Sequence, residues 1–337
     1  MTKIAINGFG RIGRGFVRAV YQSGKQGELE IVAVNDLAPA ENLAYLLKYD
    51  SVYGRASFSV SSAEKALVID GREIPVLAER EPAKLPWRAM GVDIVVESTG
   101  LFTSGEKARG HIEAGAKRVV ISAPGKGEGV QTILLGVNEE KLATCEISSN
   151  ASCTTNAVGP VMGILDEAIG IERAILNTVH AYTASQAVVD GVAPDDFRRG
   201  RAAAINMGPS STGAAKATAL VYPQFKGKFD GIAVRVPVAS GSLADVTFVA
   251  KRATSVEEVN ECLRAASETP RWKKVFAVTE EQLVSSDILG LPYGSIADLG
   301  MTRVVDGTLV KVLAWYDNEM GYAATLVQHV LRVAGHL

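Results

Sequence analysis

The sequence predicts an α/β protein of two domains: a Rossmann-type doubly wound parallel sheet, then an α+β domain on a mixed or antiparallel sheet. Three observations carry this. Short β-branched runs alternate with helical stretches up to about residue 150, the pattern of βαβ units. Those runs are apolar throughout, as strands covered by helices on both faces are. Beyond Asn150 the strands lengthen and the alternation lapses. The length agrees, since 337 residues exceed the size at which one hydrophobic core keeps growing.

Taken in order, Lys3–Ile6, Glu30–Val34, Val92–Glu97 and Arg118–Ser122 read as strands of the first domain, residues 1–150. Its first helix carries Ile12, Phe16 and Val20 at four-residue spacing, with Arg11, Arg14 and Arg18 expected on the opposite, solvated side. A helix over about Ser152–Ile169 opens the second domain, residues 151–317. Strands follow at Ala174–Tyr182, Gly231–Pro237, Ala244–Lys251 and Thr308–Tyr316. Ser255-Val256-Glu257-Glu258 has the spacing of a capping box ahead of Val259, Cys262, Leu263 and Ala266, so a helix starts there with Cys262 in its core face. The last stretch, Asn318–Val333, is amphipathic. Thr183 to Ser211 has no period of its own, and connections that long are usually functional.

Composition narrows the function. With 47% hydrophobic residues and 35 basic against 37 acidic side chains, the chain is globular, and its net charge of −2 gives no bulk footprint for nucleic acid or an anionic membrane. Its apolar stretches are broken well short of the roughly 18 residues a spanning helix needs. The N-terminus runs from Lys3 straight into a glycine motif, so no signal peptide is expected. Three cysteines, Cys145, Cys153 and Cys262, are no disulfide framework, and a reducing cytoplasm is expected. No metal site is expected.

Gly8-Phe9-Gly10-Arg11-Ile12-Gly13 follows a strand and opens a helix. In that context the first glycine permits a tight turn, the second lets backbone approach a pyrophosphate, and the third allows close helix–strand packing. The phosphates would sit on the helix N-terminus. Asp36 ends the second strand, where a carboxylate accepts from an adenosine ribose and repels a 2′-phosphate. This favours NAD and leaves NADP open. Ser98-Thr99-Gly100 adds an edge to the same crevice.

Cys153 stands at the start of the long helix, where backbone N–H groups and the helix dipole are expected to lower a thiol pKa. His180, at the end of a second-domain strand, is the candidate base. Cys145, Cys262, His111, His329 and His336 read as structural.

The residues around the pair carry a resemblance. Asn7 to Arg14, Ser149 to Asn156, His180-Ala181-Tyr182-Thr183, Arg198 to Ala204, Ser211 to Ala217, Arg235-Val236-Pro237 and Trp315 to Glu319 closely resemble phosphorylating glyceraldehyde-3-phosphate dehydrogenase, in register over essentially the whole chain. The resemblance implies that Cys153 attacks an aldehyde, that His180 takes its proton, and that hydride passes to NAD. Inorganic phosphate then attacks the thioester to release 1,3-bisphosphoglycerate. It assigns Thr183 and Arg235 to the substrate phosphate, and Ser152, Thr154, Thr212 and Gly213, with Arg199 close by, to the attacking phosphate. Asn318 and Tyr322 would meet the nicotinamide; Asn35, Arg80, Thr99 and Ser122 would add cofactor contacts. Residues 183–211 match the family's S-shaped loop, which crosses to a neighbouring subunit of a homotetramer, and the last helix, 318–337, would complete the first domain.

Three positions depart from that pattern. The family's second cysteine is Ala157, Met320 replaces a usual tryptophan, and Asp190-Gly191-Val192 lacks the proline that accompanies NAD preference. Rival readings are an erythrose-4-phosphate dehydrogenase, a non-phosphorylating enzyme, and a regulatory or RNA-binding module that has lost its chemistry. The intact Ser211-Thr212-Gly213 and Tyr182-Thr183 stand against the first of these.

Overall fold

The structure, a computed structural model, describes residues 1–337 and divides into two compact units. The first comprises residues 1–134, 138–151 and 323–337. Its strands are β1 (Thr2–Asn7), β2 (Leu29–Asn35), β3 (Val60–Ala63), β4 (Ala66–Ile69), β5 (Arg72–Leu77), β6 (Ile94–Glu97), β7 (Arg118–Ile121), β8 (Gln131–Thr132) and β9 (Ile147–Ser149). They form one sheet in the order β8-β9-β7-β6-β1-β2-β5-β4-β3. Pairing is parallel from β8 to β5 and antiparallel in the β5-β4-β3 extension. The central strands are buried on both faces, with Ile4, Ala5 and Ile6 at 0% exposure, which is why no polar alternation marks them in the sequence. Chain order reverses between β1 and its neighbours β2 and β6, and such switch points leave a crevice at the strands' carboxyl ends.

The antiparallel extension is absent from the sequence reading, although its signal is present. Asp70-Gly71 joins β4 to β5 with φ of 47° and 78°, the left-handed pair that a two-residue hairpin requires. Asp306-Gly307 has the same positive φ pair, in a three-residue connection between Val305 and Leu309.

One expectation is overturned on α1 (Arg11–Gln22). Arg18 is buried, at 4% exposure, and donates to Leu47 O at 2.7 Å and Gly54 O at 3.0 Å. The carbonyls in and beyond the last turn of α2 (Ala40–Lys48) are an electronegative end that a cation satisfies, so this side of α1 is covered, not solvated.

The second unit comprises residues 135–137 and 152–322. It holds α3 (Gly105–Glu113) in neither of its segments; that helix covers the first sheet. Its own elements are α4 (Cys153–Ala168), β10 (Ile171–Ala181), β11 (Gly208–Ser211), α5 (Ala214–Val221), β12 (Phe229–Val236), β13 (Ser242–Ala250), α6 (Val256–Ser267), β14 (Phe276–Thr279), β15 (Ser295–Val305) and β16 (Leu309–Tyr316). The strand order is β11-β12-β10-β13-β16-β15-β14. The pairs β10–β12 and β14–β15 are parallel and the rest antiparallel. Burial alternates strictly along β13, so one face of this sheet packs on helices. Ser255 caps α6 by accepting from the Glu258 N–H. Cys262 is only half-buried there, at the margin of a face that Val259 and Leu263 fill. The final helix, α7 (Met320–Ala334), carries His329 into the first unit, where it bonds Ser148 and Asn150.

Candidate active site

In the first unit, a cleft of about 350 Å³ opens at the carboxyl ends of β1, β2 and β6, lined by Gly8, Gly10, Asn35, Asp36, Arg80 and Thr99 among others. The three glycines have separable reasons. Gly8 has φ of +89°, and a Cβ there would lie 2.6 Å from Thr99 N, so the turn tolerates only glycine. A Cβ on Gly13 would lie 2.3 Å from Gly8 O; here the helix and the turn touch. A Cβ on Gly10 would meet no protein atom within 4 Å, so this glycine opens the cleft itself to a close backbone approach, as a pyrophosphate requires.

Asp36 accepts from the Phe9 N–H at 2.8 Å and the Ala38 N–H at 3.0 Å. It thereby ties the glycine loop to β2 and is held as a fixed carboxyl group on the cleft wall. Arg11 turns its guanidinium to Asp50 at 2.5 Å, and Ile12 lies within the same first turn of α1. What these two residues offer an anion is the backbone of a helix start. Ser122 follows β7 and donates its N–H to Glu97 O, outside the lining of this cleft.

In the second unit, Cys153 is the first residue of α4. Ser152 caps that helix, its Oγ accepting from the Thr155 N–H at 3.1 Å. Cys153 Sγ lies 3.5 Å from His180 Nε2. His180 reaches it from the end of β10, where it pairs in register with Arg235 of β12. That register places Arg235 Nη1 2.7 Å from His180 Nδ1 and 3.0 Å from Ala181 O. Arg235 Nη1 can only donate and gives a proton to Ala181 O; the tautomer that also sends the Nδ1 proton to Ala181 O, at 2.6 Å, leaves the Nε2 lone pair facing the sulfur. Behind the pair, the Tyr316 hydroxyl bonds Thr154 at 2.9 Å and Thr178 at 2.7 Å, and its ring meets the His180 imidazole edge-on.

The electrostatics differ from the sequence expectation. Burial, and then the Arg235 charge, push the His180 imidazole down to about 4. Burial also pushes the Cys153 thiol up, against the pull of Thr154, Arg235 and the helix-start N–H groups. A lowered thiol pKa was expected from the helix start alone; desolvation by the packed site outweighs it. Burial thus favours a thiol beside a neutral imidazole, with His180 Nε2 the ring nitrogen that faces the sulfur.

The other assigned residues are placed as follows. Thr212 Oγ1 accepts from the Ala214 N–H and Gly213 caps α5, so both lie at a helix start. Arg199 donates to Ser210 Oγ and pairs with Asp196 at 3.4 Å, and its charge is felt at Arg235. Thr183 bonds Ser185 on the exposed loop. Asn318 Oδ1 takes donors from Ser240, Gly241 and Ser242, which turns its amide N–H₂ away from them; Tyr322 is buried. Sequence reasoning missed Tyr316, whose contacts come from the start of α4 and from β10, and Ala151, whose φ of 55° strains the turn before Cys153.

A dinucleotide fold with this cleft, and a cysteine with its histidine at a helix start, define an NAD-dependent oxidoreductase. Residues 2–105 match the model of the glyceraldehyde 3-phosphate dehydrogenase NAD binding domain, and residues 152–318 that of its C-terminal domain. The glyceraldehyde-3-phosphate dehydrogenase of Streptomyces coelicolor is 49% identical over 337 residues, 99% of either chain. That of Mycobacterium avium is 49% identical over 341 residues, 100% of this chain and 99% of its own. That of Zymomonas mobilis is 48% identical over 334 residues, 99% of this chain and 98% of its own. The chain belongs to the glyceraldehyde-3-phosphate dehydrogenase family.

Proposed function

We propose that the chain oxidises D-glyceraldehyde 3-phosphate to 1,3-bisphosphoglycerate with NAD and inorganic phosphate. The observation that carries this is the Cys153 Sγ to His180 Nε2 approach of 3.5 Å at a capped helix start. Cys153 adds to the aldehyde carbon as its proton passes to His180 Nε2, giving a thiohemiacetal; covalent attachment divides one hard step in two. The protonated imidazole, with the Cys153 N–H, faces the oxygen on which charge develops. NAD, when bound, supplies the hydride acceptor, held by Gly8, Gly10, Gly13, Asn35, Asp36, Arg80 and Thr99, with Asn318 and Tyr322 assigned to the nicotinamide by family match. The glycine cradle and the fixed Asp36 carboxyl group fit that cofactor and oppose a 2′-phosphate, so NAD is preferred over NADP despite Val192.

Arg235 and Thr183 hold the substrate phosphate; Ser152, Thr154, Thr212 and Gly213, with Arg199 nearby, receive the attacking phosphate, which cleaves the Cys153 thioester. A guanidinium beside the imidazole and hydroxyls at two helix starts are the groups that bind such anions. The homotetramer is supported by Val188, Val189, Val192 and Phe197, which lie 74–98% exposed on the 183–211 loop as a patch suited to a subunit contact. No helix is long and apolar enough to cross a membrane. A cytoplasmic setting fits this chemistry and the three unpaired cysteines.

The test is the initial rate of NADH formation with glyceraldehyde 3-phosphate, with and without phosphate, with NADP and erythrose 4-phosphate as controls. The reading requires an NAD-linked, phosphate-dependent rate. Equal turnover without phosphate would send the thioester to water and contradict it.

A further inference from the structure

Beneath the cofactor cleft lies a buried polar relay that the mechanism does not use. Glu97, the last residue of β6, is 1% exposed, and His111 on α3 is 0% exposed. Glu97 Oε1 accepts from both the Thr99 N–H and the Thr99 hydroxyl. Its Oε2 accepts from Asn7 Nδ2 at 2.5 Å and from His111 Nε2 at 3.1 Å. One buried carboxyl group thus takes four donors.

The imidazole proton is fixed by its other neighbour. Trp87 Nε1 lies 3.0 Å from His111 Nδ1, and an indole can only donate. Nδ1 therefore accepts, and the single proton of a neutral ring sits on Nε2, directed at Glu97. The Trp87 ring lies beside the imidazole, 30° from coplanar, and Phe102, which lines the cleft, meets it edge-on.

The relay continues upward. Because Asn7 spends its N–H₂ on Glu97, its Oδ1 faces Asn35 and accepts from Asn35 Nδ2 at 2.7 Å. Asn35 in turn brackets the Glu79 backbone, donating to Glu79 O and accepting from Glu79 N. Asn7, Asn35, Glu79 and Thr99 all line the cleft. Neither amide can flip without setting donor against donor, so Asn7 and Asn35 are held in one orientation between the Glu97 carboxyl group at one end and the Glu79 backbone at the other, while Thr99 is held by Glu97 directly.

We propose that Glu97 is a positioning residue for the cofactor, and that His111, its tautomer set by Trp87, holds Glu97 in that role. The proposal rests on the cleft being the NAD site and adds how its floor is preorganised. A disordered floor weakens binding of the dinucleotide and leaves the Cys153–His180 chemistry alone.

His111→Phe removes the donor to Glu97 and keeps an aromatic ring. His111→Gln keeps a donor for Glu97 and an acceptor for Trp87. Glu97→Gln sets an amide N–H₂ against either the Thr99 or the Asn7 and His111 donors, and serves if His111→Phe does not fold. NAD binding by calorimetry, KM for NAD against kcat, Cys153 alkylation rate and melting temperature are measured for each. Loss of one charge-assisted hydrogen bond predicts that His111→Phe and Glu97→Gln raise Kd and KM for NAD about tenfold, with kcat at saturating NAD and alkylation within about twofold. His111→Gln should bind NAD as the unmodified protein does. Unchanged NAD affinity in His111→Phe or Glu97→Gln overturns the proposal, and so does equal loss in His111→Gln and His111→Phe. If the unmodified protein itself fails to bind NAD, it is the reading of the cleft that falls, and the proposal with it.

Discussion

At the residue scale the account turns on two side chains whose environment, not identity, sets their chemistry. Cys153 and His180 are each shifted toward the neutral form by burial, so in the proposed mechanism the proton passes from sulfur to nitrogen during attack. Cys153→Ser should abolish dehydrogenase activity while leaving NAD binding intact by calorimetry; retained turnover would contradict a covalent mechanism. His180→Gln should lower kcat by about a hundredfold or more, the range of a lost general base, and a fall of less than about tenfold would contradict that role. The pair was legible because long motifs surround it, whereas the thiol's electrostatics were not: a helix start can be read along the chain, but the desolvation that opposes it comes from segments distant in sequence. Arg235 beside His180 follows from the β10–β12 register, which no local pattern encodes. Arg18 fails for the same reason, since its partners, Leu47 and Gly54, lie 29 and 36 residues away.

At the element scale, packing at helix ends decides more than propensity. Replacing Gly13 by Ala should favour the helix by roughly 1 kcal/mol, yet its Cβ would meet Gly8 O at 2.3 Å. Backbone cannot give way cheaply, so a net loss of about 1–3 kcal/mol in chemical denaturation is expected, with weaker NAD binding. Equal or greater stability would show that the turn yields. The glycine motif and the four central strands β1, β2, β6 and β7 were readable from the sequence to within two residues at each end, because buried parallel strands are continuous apolar runs; β8 and β9, two and three residues long, were not read. The β3-β4-β5 extension was passed over, since its strands are short and half-exposed and only Asp70-Gly71 announces it. α7 is bound to β9 through His329, which accepts from Ser148 at 2.9 Å and donates to Asn150 at 3.0 Å. Burial pushes this imidazole down to about 3. Below pH 6.5 the unfolded chain takes up a proton that the folded one refuses, so stability falls as pH drops from 6.5 toward about 3. The slope from this group approaches 1.4 kcal/mol per pH unit, about the full linkage of one proton. His329→Gln should flatten that acid limb in denaturation followed against pH; an unchanged slope would assign it to other groups.

At the scale of the whole molecule, the fold class was legible because a hydrophobic period switches once, near Asn150, and each unit then follows its own layer rule. What was not legible is the order of strands, which sequence-local signals leave free. The 183–211 loop keeps large apolar side chains in the open, and the proposed homotetramer would cover them. Sedimentation should give four times the chain mass, and Phe197→Glu should shift it to smaller species; a monomer in the unmodified protein would contradict the proposal. Whether oxidation proceeds on the Cys153 sulfur is decided by one phosphate-free turnover. Enzyme, NAD and glyceraldehyde 3-phosphate are mixed, and NADH and the intact mass of the chain are followed together. The expected result is a burst of one NADH per active site and a matching acyl adduct on the peptide that contains Cys153, discharged when phosphate is added. A burst without that adduct, or an adduct on another residue, would contradict it.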